Sequence, residues 1–184
     1  MQAVVIYESM FGNTRAIAYA IGAGLAEYFD VAVIPVGQAY PTSYNQADLV
    51  VVGGPTHVRG MSRPSTRQGA AKQAAETDRG LTLEPGAQGE GVREWLASHV
   101  TSRGHGLAAA FDTRMQGPAV ITGRASNGIS GALRRQGYEL IAKPESFIVT
   151  KANELRPGEQ DRAHAWGTAL AESLSLTADS VQSS

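Results

Sequence analysis

Three short runs constrain the fold more than anything else in this chain: Ala-Val-Val-Ile-Tyr at 3–7, Leu-Val-Val-Val-Gly at 49–53 and Leu-Ala-Ala-Ala-Phe at 107–111. A strand with one face in water alternates apolar and polar residues, whereas an uninterrupted apolar run has both faces covered. Such strands belong to parallel sheets sandwiched between helices.

The segments between them agree. Thr14 to Tyr28 reads as a helix, with Ile17, Ile21 and Leu25 on one stripe and with Gly22 and Gly24 allowing close approach to the sheet. Val31 to Val36 is a second strand. Trp95, Leu96 and Val100 mark an amphipathic helix from Val92. Ser126 to Arg135 is a helix diluted by Gly128 and Gly131. Glu139 to Val149 holds a fifth strand, which Pro144 confines to an edge. Glu159 to Leu174 is a helix with Ala163, Trp166, Leu170 and Leu174 along one stripe, and Glu159 and Asp161 suit its positive N-terminus. Residues 59 to 91 have little periodicity and read as an extended excursion with a helical turn near Ala70 to Ala75. Five strands alternating with four helical patterns give a mostly parallel sheet with helices on both faces. One domain is expected over 1–174, followed by a flexible, polar, Ser-rich tail at 175–184.

Composition narrows the chemistry. The 184 residues are 42% hydrophobic and 18% charged, enough for a sizeable core and too apolar for disorder. Sixteen Lys and Arg against seventeen Asp and Glu leave a net charge of −1, so no electrostatic footprint for nucleic acid or an anionic membrane is present. Without cysteine there is no disulfide, thiolate nucleophile or Cys-ligated metal. The N-terminus has no basic region ahead of its apolar run, which argues against a signal peptide, and a cytoplasmic location is expected. No carboxylate pair, His-rich cluster or G-x-S-x-G pattern supports a hydrolase or a metal site.

The informative turn is Ser9-Met10-Phe11-Gly12-Asn13-Thr14, between the first strand and the first helix. A phosphate monoester needs several donors aimed at one point with a favourable dipole behind them. The hydroxyls of Ser9 and Thr14, the Asn13 amide and the backbone N–H groups around Gly12 meet that need at a helix start. Ser, Asn and Thr also cap helices for purely structural reasons, and the residue types alone leave both readings open.

S-M-F-G-N-T resembles the phosphate-loop signature of flavodoxins: a hydroxyl residue, two spacers, Gly, a spacer and Thr, directly after the first strand. It is also similar to the S-M-Y-G-type loop of the NAD(P)H:quinone oxidoreductases related to the tryptophan-repressor-binding protein. Gly53-Gly54-Pro55-Thr56-His57-Val58 resembles the G-x-P-T turn that borders the flavin ring in both groups. The resemblance covers roughly residues 1 to 174. It implies a flavodoxin-like, doubly wound, five-stranded parallel sheet of order 2-1-3-4-5, with FMN at the carboxyl ends of the strands. The implied cofactor residues are Ser9, Met10, Phe11, Gly12, Asn13 and Thr14 in the first turn and Pro55, Thr56, His57 and Val58 in the second. Asp112, Thr113 and Arg114 occupy the position of the second flavin loop. The absence of a G-x-G-x-x-G after the first strand favours FMN over FAD or a bound dinucleotide.

Two departures bear on function. Flavodoxins stack the ring between Trp and Tyr, where this chain offers His57 and the stretch Asp112-Thr113-Arg114; they are also strongly acidic, and this chain is not. His57 is the candidate catalytic group, contacting the ring or donating a proton near N5 or a substrate oxygen, against the alternative of a solvated loop histidine. Arg59 and Arg114 either place positive charge near the flavin N1–C2=O edge or are ordinary surface residues. Trp95 and Trp166 are core residues. Three functions stay open: an electron carrier for a redox partner protein, an FMN enzyme passing electrons from NAD(P)H to a quinone or similar acceptor, and a flavin-free interaction module. The uncovered flavin face and a mobile lid at 59–91 favour the enzyme, with His57 bordering the substrate.

Overall fold

The computed structural model describes residues 1–76, 81–98 and 106–182. Its strands are β1 (Gln2–Tyr7), β2 (Asp30–Pro35), β3 (Leu49–His57), β4 (Gly60–Met61), β5 (Leu107–Met115), β6 (Glu139–Leu140) and β7 (Glu145–Val149). The helices are α1 (Asn13–Leu25), α2 (Pro41–Tyr44), α3 (Pro64–Glu76), α4 (Val92–Ser98), α5 (Ala119–Thr122), α6 (Ala125–Arg135) and α7 (Glu159–Gln182).

Parallel pairing runs β2-β1-β3-β5, with Val5 level with Val33 and Val51, and Val51 level with Ala109. The far flank of β5 is shared: Leu107 and Ala108 pair with β6, and Phe111 to Met115 pair with β7. The sheet therefore has seven strands in the order β2-β1-β3-β5-β6, with β7 beside β5 and β4 beside β3, rather than five in the order 2-1-3-4-5. The difference has two causes. Pro144, which cannot donate to a ladder, lies in the gap at 141–144 that splits the edge strand in two. In addition, β3 continues past its apolar run into a two-residue hairpin with β4.

Alternate side chains of each strand feed two cores. Val5, Tyr7, Val51, Ala109 and Phe111 face α1 and α7, with Ile17, Ile21 and Leu170. Val4, Ile6, Val50, Val52, Ala108 and Ala110 face α4 and α6, with Trp95, Ile129 and Leu133. Every position of the apolar runs is buried except Leu107, which is half-buried at the start of β5, as the continuous patterning leads one to expect. Trp95 lies in the second core with its Nε1–H donating to Ala39 O at 2.9 Å, and Trp166 packs beside Phe147 against the first.

Gly22 does meet the sheet, at Val33, but Gly24 faces α7: a Cβ there would overlap the His164 carbonyl, as one at Gly167 would overlap that of Ile21. The two helices thus touch backbone to backbone. α7 continues to Gln182, past the expected stop at Leu174, while Val100 lies outside the described residues. The excursion at 59–91 also differs from expectation, since it contains β4 and the thirteen-residue α3. No helix among the described residues is long and apolar enough to cross a membrane.

Candidate functional site

At the carboxyl ends of β1, β3 and β5 the chain forms a cleft of about 110 Å³. Met10, Phe11, Asn13 and Thr14 line it from the first turn, Pro55, Thr56 and His57 from β3, and Thr113 and Arg114 from β5. Three segments remote in sequence meet because parallel strands all end at one edge of the sheet.

Gly12 makes the first turn possible. Its φ of 92° lies in the left-handed region that a side chain resists, and it directs the chain straight into α1. Its N–H donates to Ser9 Oγ at 3.1 Å, so Ser9 braces the loop from behind and borders a neighbouring cavity instead of the cleft. The first-turn N–H groups of α1 have no intrahelical acceptor, and among the described residues none meets those of Asn13 and Thr14. No acidic residue stands in that turn, so the positive end of the helix dipole is uncompensated. One carboxylate does approach: Glu84, whose N–H donates to Met10 O, pairs with Arg15 at 3.2 Å beside Gly12.

The side-chain donors of the loop are partly engaged. Thr14 and Thr113 share a buried hydroxyl–hydroxyl bond of 2.7 Å across the cleft floor. Asn13 Nδ2 donates to Asn153 O at 2.9 Å. Asn153, Met115 and Val149 complete the lining and are absent from the sequence reading. A signal for Asn153 existed: it sits in the turn that follows the last strand, which must emerge at the same edge, and its φ of 61° suits asparagine.

The β5 residues correct the expected loop. Asp112, Thr113 and Arg114 belong to the strand, and alternation sends them to opposite faces. Asp112 is fully buried and turned from the cleft; its Oδ2 accepts from the Ser126 N–H at 2.8 Å, anchoring the start of α6. Burial raises its pKa. Arg114 reaches back to Gly117 O at 2.8 Å and Thr122 Oγ1 at 3.0 Å, fixing the chain that follows β5.

His57 is the last residue of β3 and pairs with Gly60, leaving Val58 and Arg59 as a two-residue turn with φ of 46° and 70°. Positive φ at both central positions is the hairpin geometry that Asn-Gly normally fills, so a β-branched valine there is strained. The backbone of Gly123 abuts Arg59, leaving no room for a Cβ. Val58 itself projects into solvent outside the cleft. Burial and the nearby Arg67 hold the His57 pKa below its ordinary value, so the imidazole is neutral at pH 7.

Behind His57 the described part of the excursion is bolted down. Glu8, buried at the end of β1, accepts from Val92 N at 2.9 Å and from the Ser62 hydroxyl. Arg67, also buried, donates to Ser62 Oγ at 2.9 Å and pairs with Glu94 at 2.9 Å. This network ties β4, α3 and α4 to the sheet, giving a wall where a mobile lid was expected. Desolvation raises the Glu8 pKa.

The architecture has close counterparts among solved structures. A flavodoxin from the domain Archaea superposes with a TM-score of 0.62 at 21% identity, covering 94% of this chain and 97% of its own. The chain has the flavodoxin-like fold. Flavodoxin 1 from Bacillus cereus gives a TM-score of 0.62 at 15% identity, covering 94% and 98%. The flavodoxin, WrbA-like protein from Agrobacterium tumefaciens gives 0.57 at 15%, covering 93% and 95%. No protein-family model and no curated protein sequence matches the chain.

Proposed function

We propose that this chain binds FMN in the cleft and works in electron transfer, accepting electrons from NAD(P)H and passing them to a quinone or similar acceptor. The observation that carries the reading is the convergence of Met10–Thr14, Pro55–His57 and Thr113–Arg114 at one helix N-terminus. The fold it shares with flavodoxins supports the same conclusion.

The residues fit the cofactor. Its phosphate would take the open N–H groups of Asn13 and Thr14, with a Thr14 or Thr113 proton and the α1 dipole. The enclosed volume of about 110 Å³ suits the phosphate and adjoining chain, small beside the ~300–1,000 Å³ of whole-ligand pockets. Pro55, Thr56, His57 and Met115 are left to border the rings. Bound there, FMN supplies reversible one- or two-electron exchange. Neutral His57 can donate or accept one hydrogen bond without changing the charge of the site, and Arg114, clamped by Gly117 and Thr122, supplies a fixed positive charge.

Exchange with a planar substrate, rather than carriage alone, is favoured by the rim. Phe11 is the one aromatic ring besides His57 in the cleft lining, so no Trp or Tyr stands there to cover a bound ring. Absorbance spectroscopy and mass spectrometry of heat-released ligand, followed by titration with FMN, FAD and riboflavin, test the cofactor. Preference for FMN is expected; binding of FAD alone, or equal affinity for riboflavin, refutes it. Stopped-flow mixing of the FMN-loaded protein with NADH and NADPH tests the enzyme, which requires flavin bleaching and then turnover with a soluble quinone.

A further inference from the structure

We propose that Asp112 is the counter-charge of Arg114, so that a proton taken up by its carboxyl sets how much positive charge the cleft presents to a bound anion. The identity of that anion rests on the reading above, where it is FMN; the coupling of the two side chains rests on the fold alone.

Asp112 and Arg114 stand two apart on β5, so both belong to the face on which α6 packs. Asp112 is fully buried, and no ion pair engages it among the described residues. Its Oδ2 accepts one backbone N–H, from Ser126, and its Oδ1 has no hydrogen-bond partner. The elements packed around it bring no charge: β3 supplies Gly54, β7 supplies Ser146 and α6 supplies Ser126. Glu8 lies on the same face beyond Gly54 and is held by Val92 and Ser62. Among the described residues, Arg114 is the one charged group whose field reaches Asp112, and it opposes the stronger effect of burial. A carboxyl in these surroundings keeps its proton more tightly than in water, and Arg114 is its only charge compensation once the proton leaves.

Arg114 is equally short of carboxylates. Its Nη1 donates to Gly117 O and Thr122 Oγ1, both neutral, and its Nε has no acceptor. Those bonds hold the guanidinium in place, with the cleft on one flank and an open cavity bordered by Arg124 and Lys143 on the other. Two further ions of that cavity are already engaged: Glu145 with Arg162 and Arg156 with Glu159, each at 2.6 Å. The buried carboxyl of Asp112 is therefore the group left to balance Arg114.

The two protonation states present different charges to the cleft. With Asp112 ionised, its field cancels much of that of Arg114, and an anion in the cleft also meets a like charge beneath the floor. With Asp112 protonated, Arg114 acts unopposed. Charges this far from bulk water are poorly screened, and the difference should be about three- to tenfold in anion affinity. Affinity is highest below the Asp112 titration and falls as pH rises through it. By reciprocity, a bound anion moves that titration upward by about 0.5–1 pH unit.

Carboxyl carbon NMR of Asp112 in the ligand-free protein, followed against pH, tests the pair. The titration should lie above the ordinary carboxylate range; Arg114→Gln should move it higher, and so should FMN added to the unaltered protein. Asp112→Asn copies the protonated form, since an amide can accept from the Ser126 N–H and donate to a neighbouring hydroxyl. Fluorescence titrations with FMN should give equal affinity for the two proteins below the Asp112 titration. Above it, the variant should bind about three- to tenfold more tightly. The FMN phosphate itself titrates near pH ~6, equally in both proteins, and cancels in the ratio. A ratio that stays constant with pH makes Asp112 a structural residue and overturns the proposal. A titration that Arg114→Gln leaves in place overturns it as well. If FMN fails to bind while Arg114→Gln still moves the titration, the cofactor reading falls and the coupling stands.

Discussion

The hydroxyl pair of Thr14 and Thr113 offers a way to separate what the cleft does for the fold from what it does for a ligand. The two side chains are 2% and 4% exposed, and their Oγ1 atoms are 2.7 Å apart. Replacing Thr14 by valine preserves shape and leaves the Thr113 hydroxyl buried without its partner, at a cost of about 1–3 kcal/mol. At roughly 2–4 °C per kcal/mol for a chain of this length, the melting temperature should fall by about 2–12 °C. Thr113→Val should cost about the same. The double variant removes both hydroxyls together and should recover most of the loss, giving a coupling of at least ~1 kcal/mol. Ligand binding should behave differently. Thr14→Val should weaken FMN binding roughly ten- to a hundredfold by removing a donor to the phosphate, with riboflavin hardly affected, and adding Thr113→Val should not restore it. Urea unfolding of ligand-free protein gives the first set of numbers, because bound ligand would itself add stability; fluorescence titration gives the second. Additive stability losses would refute the hydroxyl pair. Equal losses for FMN and riboflavin would show that Thr14 acts only by shaping the helix start.

Three further outcomes are expected. Gly53→Ala should cost about 1–3 kcal/mol or more because its Cβ would collide with the Phe111 ring, whereas Gly54→Ala, whose nearest neighbours are 3.7 Å away, should be tolerated in thermal melts. The raised pKa of buried Glu8 means that its contribution to stability is fully present below its ordinary value of 4.5 and is lost as pH rises through the higher folded value; Glu8→Gln should flatten that decline in urea midpoints taken from pH 4 to 8, and an unchanged profile would contradict the assignment. Glu84→Gln, which removes a carboxylate beside the phosphate turn and frees Arg15, should tighten FMN about two- to fivefold at low salt and have little effect at 0.5 M salt or on riboflavin.

The fold was readable wherever the two-faced apolar patterning was strong. β1, β3 and β5 were located by their runs, and α1, α6 and α7 by their stripes. Failures came where tertiary partners outweigh local sequence. Strand β5 continues through Asp112-Thr113-Arg114 because β3 and β7 pair with those residues, which composition does not reveal. α3 has no apolar stripe, since its sequence Pro-Ser-Thr-Arg-Gln-Gly-Ala-Ala-Lys-Gln-Ala-Ala-Glu is small and polar, and it is fastened through Arg67. Of the residues named for the site, Met10, Phe11, Asn13 and Thr14 line the cleft because their turn directly follows β1, and Pro55–His57 because they form the carboxyl end of β3. Ser9 and Asp112 instead brace the backbone from behind, a distinction that only geometry draws.

The two sides of the cleft differ in how firmly they are held and in what they expose. On one side, the buried Glu8–Ser62–Arg67–Glu94 network joins β4, α3 and α4 to the end of β1. Opening that side would strand a buried carboxylate and a buried guanidinium, each costly to leave unpaired. On the other side, Val58, Met115, Val120 and Ile121 all expose apolar surface, and the turn at Val58–Arg59 holds its strained geometry against Gly123. Beyond them lies the cavity of Arg124 and Lys143. A partner approaching from this side meets apolar side chains next to the cleft and positive charge farther out.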